Sequence, residues 1–158
     1  MHPRFLYDLD NCAILGALDE VGDGWTLKIL REAIYGLTRF DDFARALGCG
    51  RGVLSVRLKA MTAAALMERR VYAEPGQRRR FEYHLTDKGW DLVPALLTLG
   101  QWRERWAPSP DGPTAQVTER ATGRPVTAIL SAEARARPLA MEDVRVALGP
   151  GAKRADAG

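Results

Sequence analysis

The sequence predicts a mainly α chain with a small β-hairpin, followed by a small β-rich C-terminal extension. Three observations predict it. Apolar residues recur at helical spacing through four segments between Cys12 and Ala65, broken by glycine-containing turns. Two stretches rich in Val, Tyr and Phe then flank a Pro75-Gly76 turn. Beyond residue 113 the apolar residues return in short runs that suit strands.

The first helix carries Ile14, Leu15, Leu18 and Val21 near one face, and Gly22 and Gly24 end it. The second, over 25–35, turns Leu27, Leu30 and Ile34 inward and leaves Lys28, Arg31 and Glu32 largely off that face, with Gly36 as its C-cap. Thr38 is placed to cap a third helix, Asp41 completing an approximate capping box, and Phe40, Phe43, Ala44 and Leu47 face inward. Gly48-Cys49-Gly50-Arg51-Gly52 reads as a tight turn, because each helical Gly costs about 1 kcal/mol relative to Ala. The fourth helix runs over 51–65. Leu54, Leu58, Met61 and Ala65 form its buried stripe; Lys59 lies well off the stripe and Arg57 at its edge.

Two short helices joined by a glycine-containing turn, the second bearing exposed bases, form a helix-turn-helix pattern. Strands over 67–72 and 80–85 follow at once, joined by a turn that carries Arg78 and Arg79. A helix-turn-helix with an adjacent basic hairpin is a winged helix. Thr86 then caps a further helix reaching Trp106, in which Pro94 predicts a kink or a break. Leu92, Val93, Leu96, Leu97, Leu99, Trp102 and Trp106 give it more apolar surface than one small domain needs from a terminal helix. With the first helix, it is the expected homodimer interface.

These elements divide the chain into a winged helix-turn-helix domain over 1–106, a linker over 107–113, a metal-free β-rich extension over 114–148 and a flexible tail over 149–158. In the extension, strands are expected over 115–120, 126–130 and 144–148. Val117, Val126, Ile129, Leu130, Leu139, Val144 and Val146 are the expected core.

Composition narrows the function. The 158 residues are 46% hydrophobic and 27% charged, a globular balance. No apolar run approaches the roughly 18–20 residues that span a bilayer, and the N-terminus lacks a signal-peptide core, so a cytoplasmic protein is expected. Two cysteines, Cys12 and Cys49, are too few for a disulfide scaffold. The net charge of +3 hides a polarity: residues 44–80 hold nine bases against two acids. That basic middle suits a polyanion. No nucleophile–base pair, phosphate loop or metal-ligand spacing is evident, so neither an enzyme nor a cofactor is expected; His2 and His84 fit no metal site with the cysteines.

Several motifs resemble, in order and spacing, the HxlR-type winged-helix regulators. They are Cys12 to Asp19, Gly24-Trp25 to Glu32, Arg39-Phe40 to Phe43, Val53 to Lys59, Leu66 to Arg70 and Tyr83 to Gly89. The resemblance implies a dimeric, cytoplasmic transcription factor, a repressor on our reading, that binds inverted-repeat operator DNA. It also implies a signal, either a small-molecule effector or a thiol-reactive compound acting at one cysteine near the N-terminus, which is Cys12 here. Three positions depart from the family pattern. Gly50-Arg51 replaces a Ser-Pro pair, Val56 replaces a base, and Ala65 replaces the glycine before the wing.

The expected contacts to double-stranded DNA are Arg39 at the start of the third helix, Arg51, Ser55, Arg57 and Lys59 on the fourth, and Arg78, Arg79 and Arg80 in the wing. A winged-helix protein-interaction module without DNA binding is the alternative; Val56 and the acidic first helices favour it.

Overall fold

The computed structural model describes residues 2, 8–73, 79–130 and 138–153. Its chain divides into two compact units, Met1–Thr86 and Asp87–Gly158. The second unit begins just before the long apolar helix.

The first unit holds α1 (Ala13–Val21), α2 (Gly24–Ile34), α3 (Phe40–Leu47), α4 (Arg51–Ala63), β1 (Met67–Tyr72) and β2 (Arg80–Leu85). Its core is Thr26, Ile29 and Leu30 of α2, Phe43 of α3, Leu54, Leu58 and Met61 of α4, and Leu66 and Met67 at the start of the wing. Removing such a side chain from water contributes about 1.5–3 kcal/mol each, so these residues fix where α4 points. The buried face of α2 is rotated from the expected one: Thr26 and Ile29 join Leu30, while Leu27 and Ile34 are half-buried. Glu32, expected off the apolar face, is buried and paired with Arg31.

Asp23 caps α2: its carboxylate accepts from the amides of Trp25 and Thr26, both at 3.0 Å. At the other end, Gly36 is left-handed (φ +95°). There the Leu37 amide donates to Glu32 O and the Gly36 amide to Ala33 O, which is a Schellman motif. Helix α4 ends the same way, with Leu66 donating to Met61 O and Ala65 to Thr62 O, but the left-handed residue is Ala65 (φ 56°). Ala65 is therefore exposed past the helix end and not part of the buried stripe.

Thr38 does not cap α3. The helix starts at Phe40, with Arg39 at the N-cap and no side-chain cap. The backbone here pairs with the wing instead: the Tyr83 amide donates to Thr38 O at 2.8 Å, and Arg39 bridges Glu82. The wing strands pair antiparallel, Met67 opposite Leu85 and Val71 opposite Phe81. The expected strand bounds match. The turn at 74–78 lies outside the described residues.

The second unit holds α5 (Asp87–Trp90), α6 (Val93–Trp106), β3 (Ala115–Glu119) and β4 (Val144–Leu148). The break between α5 and α6 falls just before Pro94, in the first turn of α6, where a missing N–H is harmless. Strands β3 and β4 pair antiparallel, Val117 opposite Val146. Residues 126–130 form no strand. Pro125 bridges Thr118 and the Val126 amide reaches Val117 O, then the ladder stops. Gln101 of α6 takes over: with its amide turned to satisfy both partners, it donates to Ala128 O and accepts from Ala128 N at 2.9 Å each. Val144 is buried and Val117, Val126 and Val146 are half-buried, but Ile129 and Leu130, expected in this core, are exposed, as is Leu139. The Glu104 carboxylate accepts from the amide and hydroxyl of Thr114 at 3.0 Å, tying α6 to the strand pair. Just beyond β4, the Gly149 amide donates to Thr114 O and the Gly151 amide to Pro113 O. Residues 154–158 lie outside the described residues.

Candidate nucleic-acid interface

With Leu54, Leu58 and Met61 locked inward, α4 presents Arg51, Gly52, Ser55, Val56 and Lys59 to solvent. That face combines two long bases with small and apolar residues, chemistry that suits an approach to a DNA groove. Arg57 is turned the other way. Its Nη1 lies 3.1 Å from Asp23 Oδ2, and its side chain is only 34% exposed. Its Nε is buried without a hydrogen-bond partner among the described residues. Arg57 thus joins α4 to the cap of α2. Burial raises the Asp23 pKa, but the Thr26 hydroxyl and amide, Arg57 and the Trp25 amide outweigh it and hold the carboxyl below its usual range.

Three of the expected contacts converge. Arg39, Arg51 and Arg80 line a cleft of about 710 Å³ between α3, the start of α4 and the wing, with Phe40, Tyr72 and Phe81 on its walls. Arg51 stacks on Phe40 and Arg39 on Tyr72, the guanidinium carbons 4.8 and 4.6 Å from the ring centres. Each guanidinium also meets an acid. Arg51 Nη1 donates to Asp41 Oδ1 at 2.7 Å, Arg80 lies 3.8 Å from Asp41 Oδ2, and Arg39 lies 3.3 Å from Glu82. The Arg51 hydrogen bond is the main cause holding the Asp41 carboxyl below its usual range, and the Arg39 bond does the same for Glu82.

Arg79 is exposed just before β2, Ser55 and Lys59 lie exposed on α4, and Arg78 is outside the described residues. The acids Asp23, Asp41 and Glu82 were missed as partners of the basic set. Sequence carried one signal for Arg57, its place at the edge of the apolar stripe. It carried none for Glu82, whose neighbour Arg39 is 43 residues away. Cys12 is the half-exposed N-cap residue of α1 and is not in a disulfide. Among the described residues no group of His, Cys, Asp and Glu is placed to hold a metal ion, and no helix is long and apolar enough to cross a membrane.

A tri-helical core, a groove-sized helix and a strand pair rooted beside it define a winged helix-turn-helix protein. Residues 20–111 match the model of the HxlR-like helix-turn-helix family. The chain belongs to that family. It is 41% identical over 107 residues to Rv3095 of Mycobacterium tuberculosis, an uncharacterized HTH-type transcriptional regulator, the match spanning 68% of this chain and 66% of that one. It is 35% identical over 91 residues to YvaP of Bacillus subtilis, described in the same words, spanning 57% of this chain and 82% of YvaP. Among solved structures, PA1607, described as a candidate transcription factor, superposes with a TM-score of 0.68 at 38% identity over 88% of this chain and 96% of its own. The reduced redox regulator HypR superposes with a TM-score of 0.54 at 27% identity, over 60% of this chain and 92% of its own.

Proposed function

We propose that this protein is a cytoplasmic transcriptional repressor that binds an inverted-repeat operator as a homodimer. The observation that carries the reading is the convergence of Arg39, Arg51 and Arg80 on one cleft beside the exposed face of α4. In this reading Ser55, Val56 and Lys59 meet base edges in the major groove, Val56 suiting a thymine methyl. Arg39, Arg51 and the wing residues Arg78, Arg79 and Arg80 meet phosphates. Arg57 acts one step back, setting the pitch of α4 through Asp23.

Dimerisation is part of the proposal because two apolar surfaces lack cover in a single chain. Ile14 and Leu18 of α1 are 71% and 56% exposed, and Leu99, Trp102 and Trp106 of α6 are 54%, 62% and 71% exposed. Surfaces of that kind on a small protein mark association sites. A two-fold dimer presents two reading helices, which matches a palindromic site.

Fluorescence anisotropy on a duplex from the chain's own upstream region tests the reading. Binding is expected to weaken steeply with salt and to be lost in the Arg51→Ala/Arg80→Ala double variant. No salt-dependent binding to duplex DNA refutes it. The alternative, an interaction module without DNA binding, draws on Val53 and Val56, 46% and 67% exposed on α4; it predicts that refuting result. Two kinds of signal belong to the proposal, a small-molecule effector and a thiol-reactive compound acting at Cys12. For the thiol signal, diamide is expected to release the operator from the protein but not from the Cys12→Ser variant, and equal release from both rejects that part.

A further inference from the structure

The cleft lined by Arg39, Arg51 and Arg80 already holds an anion, the chain's own Asp41. One oxygen accepts from Arg51 at 2.7 Å and the other faces Arg80 at 3.8 Å, so a single carboxylate lies between a guanidinium from α4 and one from the wing. A DNA phosphate bridging helix and wing would present two non-bridging oxygens to the same pair. Asp41 and both arginines are more than half exposed, so the pairing is open to exchange. Such exposed ion pairs are weak and are screened by salt.

We propose that Asp41 is an internal competitor for the seat of a backbone phosphate, and that duplex DNA binds by displacing it. This rests on the DNA-binding reading above. Three consequences follow from charge alone. With Asp41 and Glu82 paired to them and Asp42 also lining the cleft, its three arginines carry little net positive charge before DNA arrives. After exchange, Asp41 stands beside a phosphate and repels it. Both effects lower affinity for any duplex irrespective of sequence, so the share of binding left to the bases on α4 rises. Asp41 is thus a specificity-determining residue that need touch no base.

The test compares the protein with its Asp41→Asn, Asp41→Ser and Asp42→Asn variants on two short duplexes, one of arbitrary sequence and one from the upstream region. Circular dichroism melting confirms that each variant folds. Both Asp41 variants are expected to bind both duplexes about five- to tenfold more tightly at low salt. The slope of log affinity against log salt is expected to steepen by up to about 0.9. Asp42→Asn removes the same charge from the same helical turn and the same cleft, but among the described residues no ion pair joins Asp42 to Arg51 or Arg80, and it is expected to give less than half that gain. The proposal is overturned if the parent binds DNA while the Asp41 variants bind equally or more weakly, or if Asp42→Asn matches them. Failure of all four proteins to bind either duplex overturns the DNA-binding reading itself, and this inference with it.

Discussion

Replacing Asp23 by Ala removes one carboxylate that performs two tasks at once. It satisfies two amides at the start of α2, both at 3.0 Å, and it holds Arg57 at 3.1 Å. Loss of an N-cap side chain costs about 1 kcal/mol. The pair with Arg57, whose side chains are 34% and 31% exposed, adds at most about 1 kcal/mol after solvent screening. The expected total is about 2 kcal/mol. With a urea m-value of about 2 kcal/mol/M, the midpoint falls by about 1 M. Trp25 is the sole tryptophan of the first unit, so fluorescence of a variant with Trp90, Trp102 and Trp106 changed to Phe follows that unit. A double-mutant cycle with Arg57→Ala isolates the pair, with an expected coupling of about 0.3–1 kcal/mol. Lys59→Ala, on the exposed face, is the control and should stay within about 0.5 kcal/mol of the parent. A cost below about 0.5 kcal/mol for Asp23→Ala refutes the capping argument. A coupling of zero refutes the role given to Arg57.

Ala65→Gly relieves a left-handed alanine and is expected to stabilise the first unit by about 1 kcal/mol, read as a higher urea midpoint; an unchanged midpoint would show that the strain is absent. Acid should unfold the protein through its paired carboxylates. The folded pKa values of Asp23, Asp41, Glu82 and Glu104 all lie below the ordinary 3.8 or 4.5, Glu104 chiefly through the Thr114 amide. Their contribution is then complete above those ordinary values and is lost as pH falls through the lower folded ones. Stability measured from pH 6 downward should therefore hold to roughly pH 5 and drop below about pH 4, with a shallower drop in Asp23→Asn; a flat profile to about pH 2 would contradict the pairing. Leu18→Glu and Trp102→Glu should each shift the sedimentation coefficient toward the monomer, and a dimer unaffected by either would place its interface elsewhere.

Much of the first unit was legible because its signals are local. The stripe Leu54, Leu58, Met61 marked α4, and alternating Val, Tyr and Phe marked both wing strands to the residue. The same stripe was read on to Ala65, where the chain instead leaves the helix in a left-handed turn. Local signals failed where a distant partner intervened. Thr38 has the chemistry of a cap, but its backbone is committed to Tyr83. Arg57 lies at the edge of the apolar stripe and Arg51 at the helix start, but sequence names the partner of neither. Only the packing of α4 on α2 decides that one meets Asp23 and the other faces out. In the second unit, Ile129 and Leu130 read as a strand by composition, yet the pairing with β3 stops at the Val126 amide and both side chains are exposed.

The pairing of Thr38 and Arg39 with Tyr83 and Glu82 has a mechanical consequence. It ties strand β2 to the loop that launches α3, so the ribbon cannot swing away from the start of that helix without breaking the pairing. On the proposed reading, a signal that releases DNA moves β2 and the start of α3 together. On the proposed DNA-binding reading, weakening it at the Arg39–Glu82 ion pair with Glu82→Gln should leave a ribbon that still finds phosphates but is less firmly held beside the loop that launches α3.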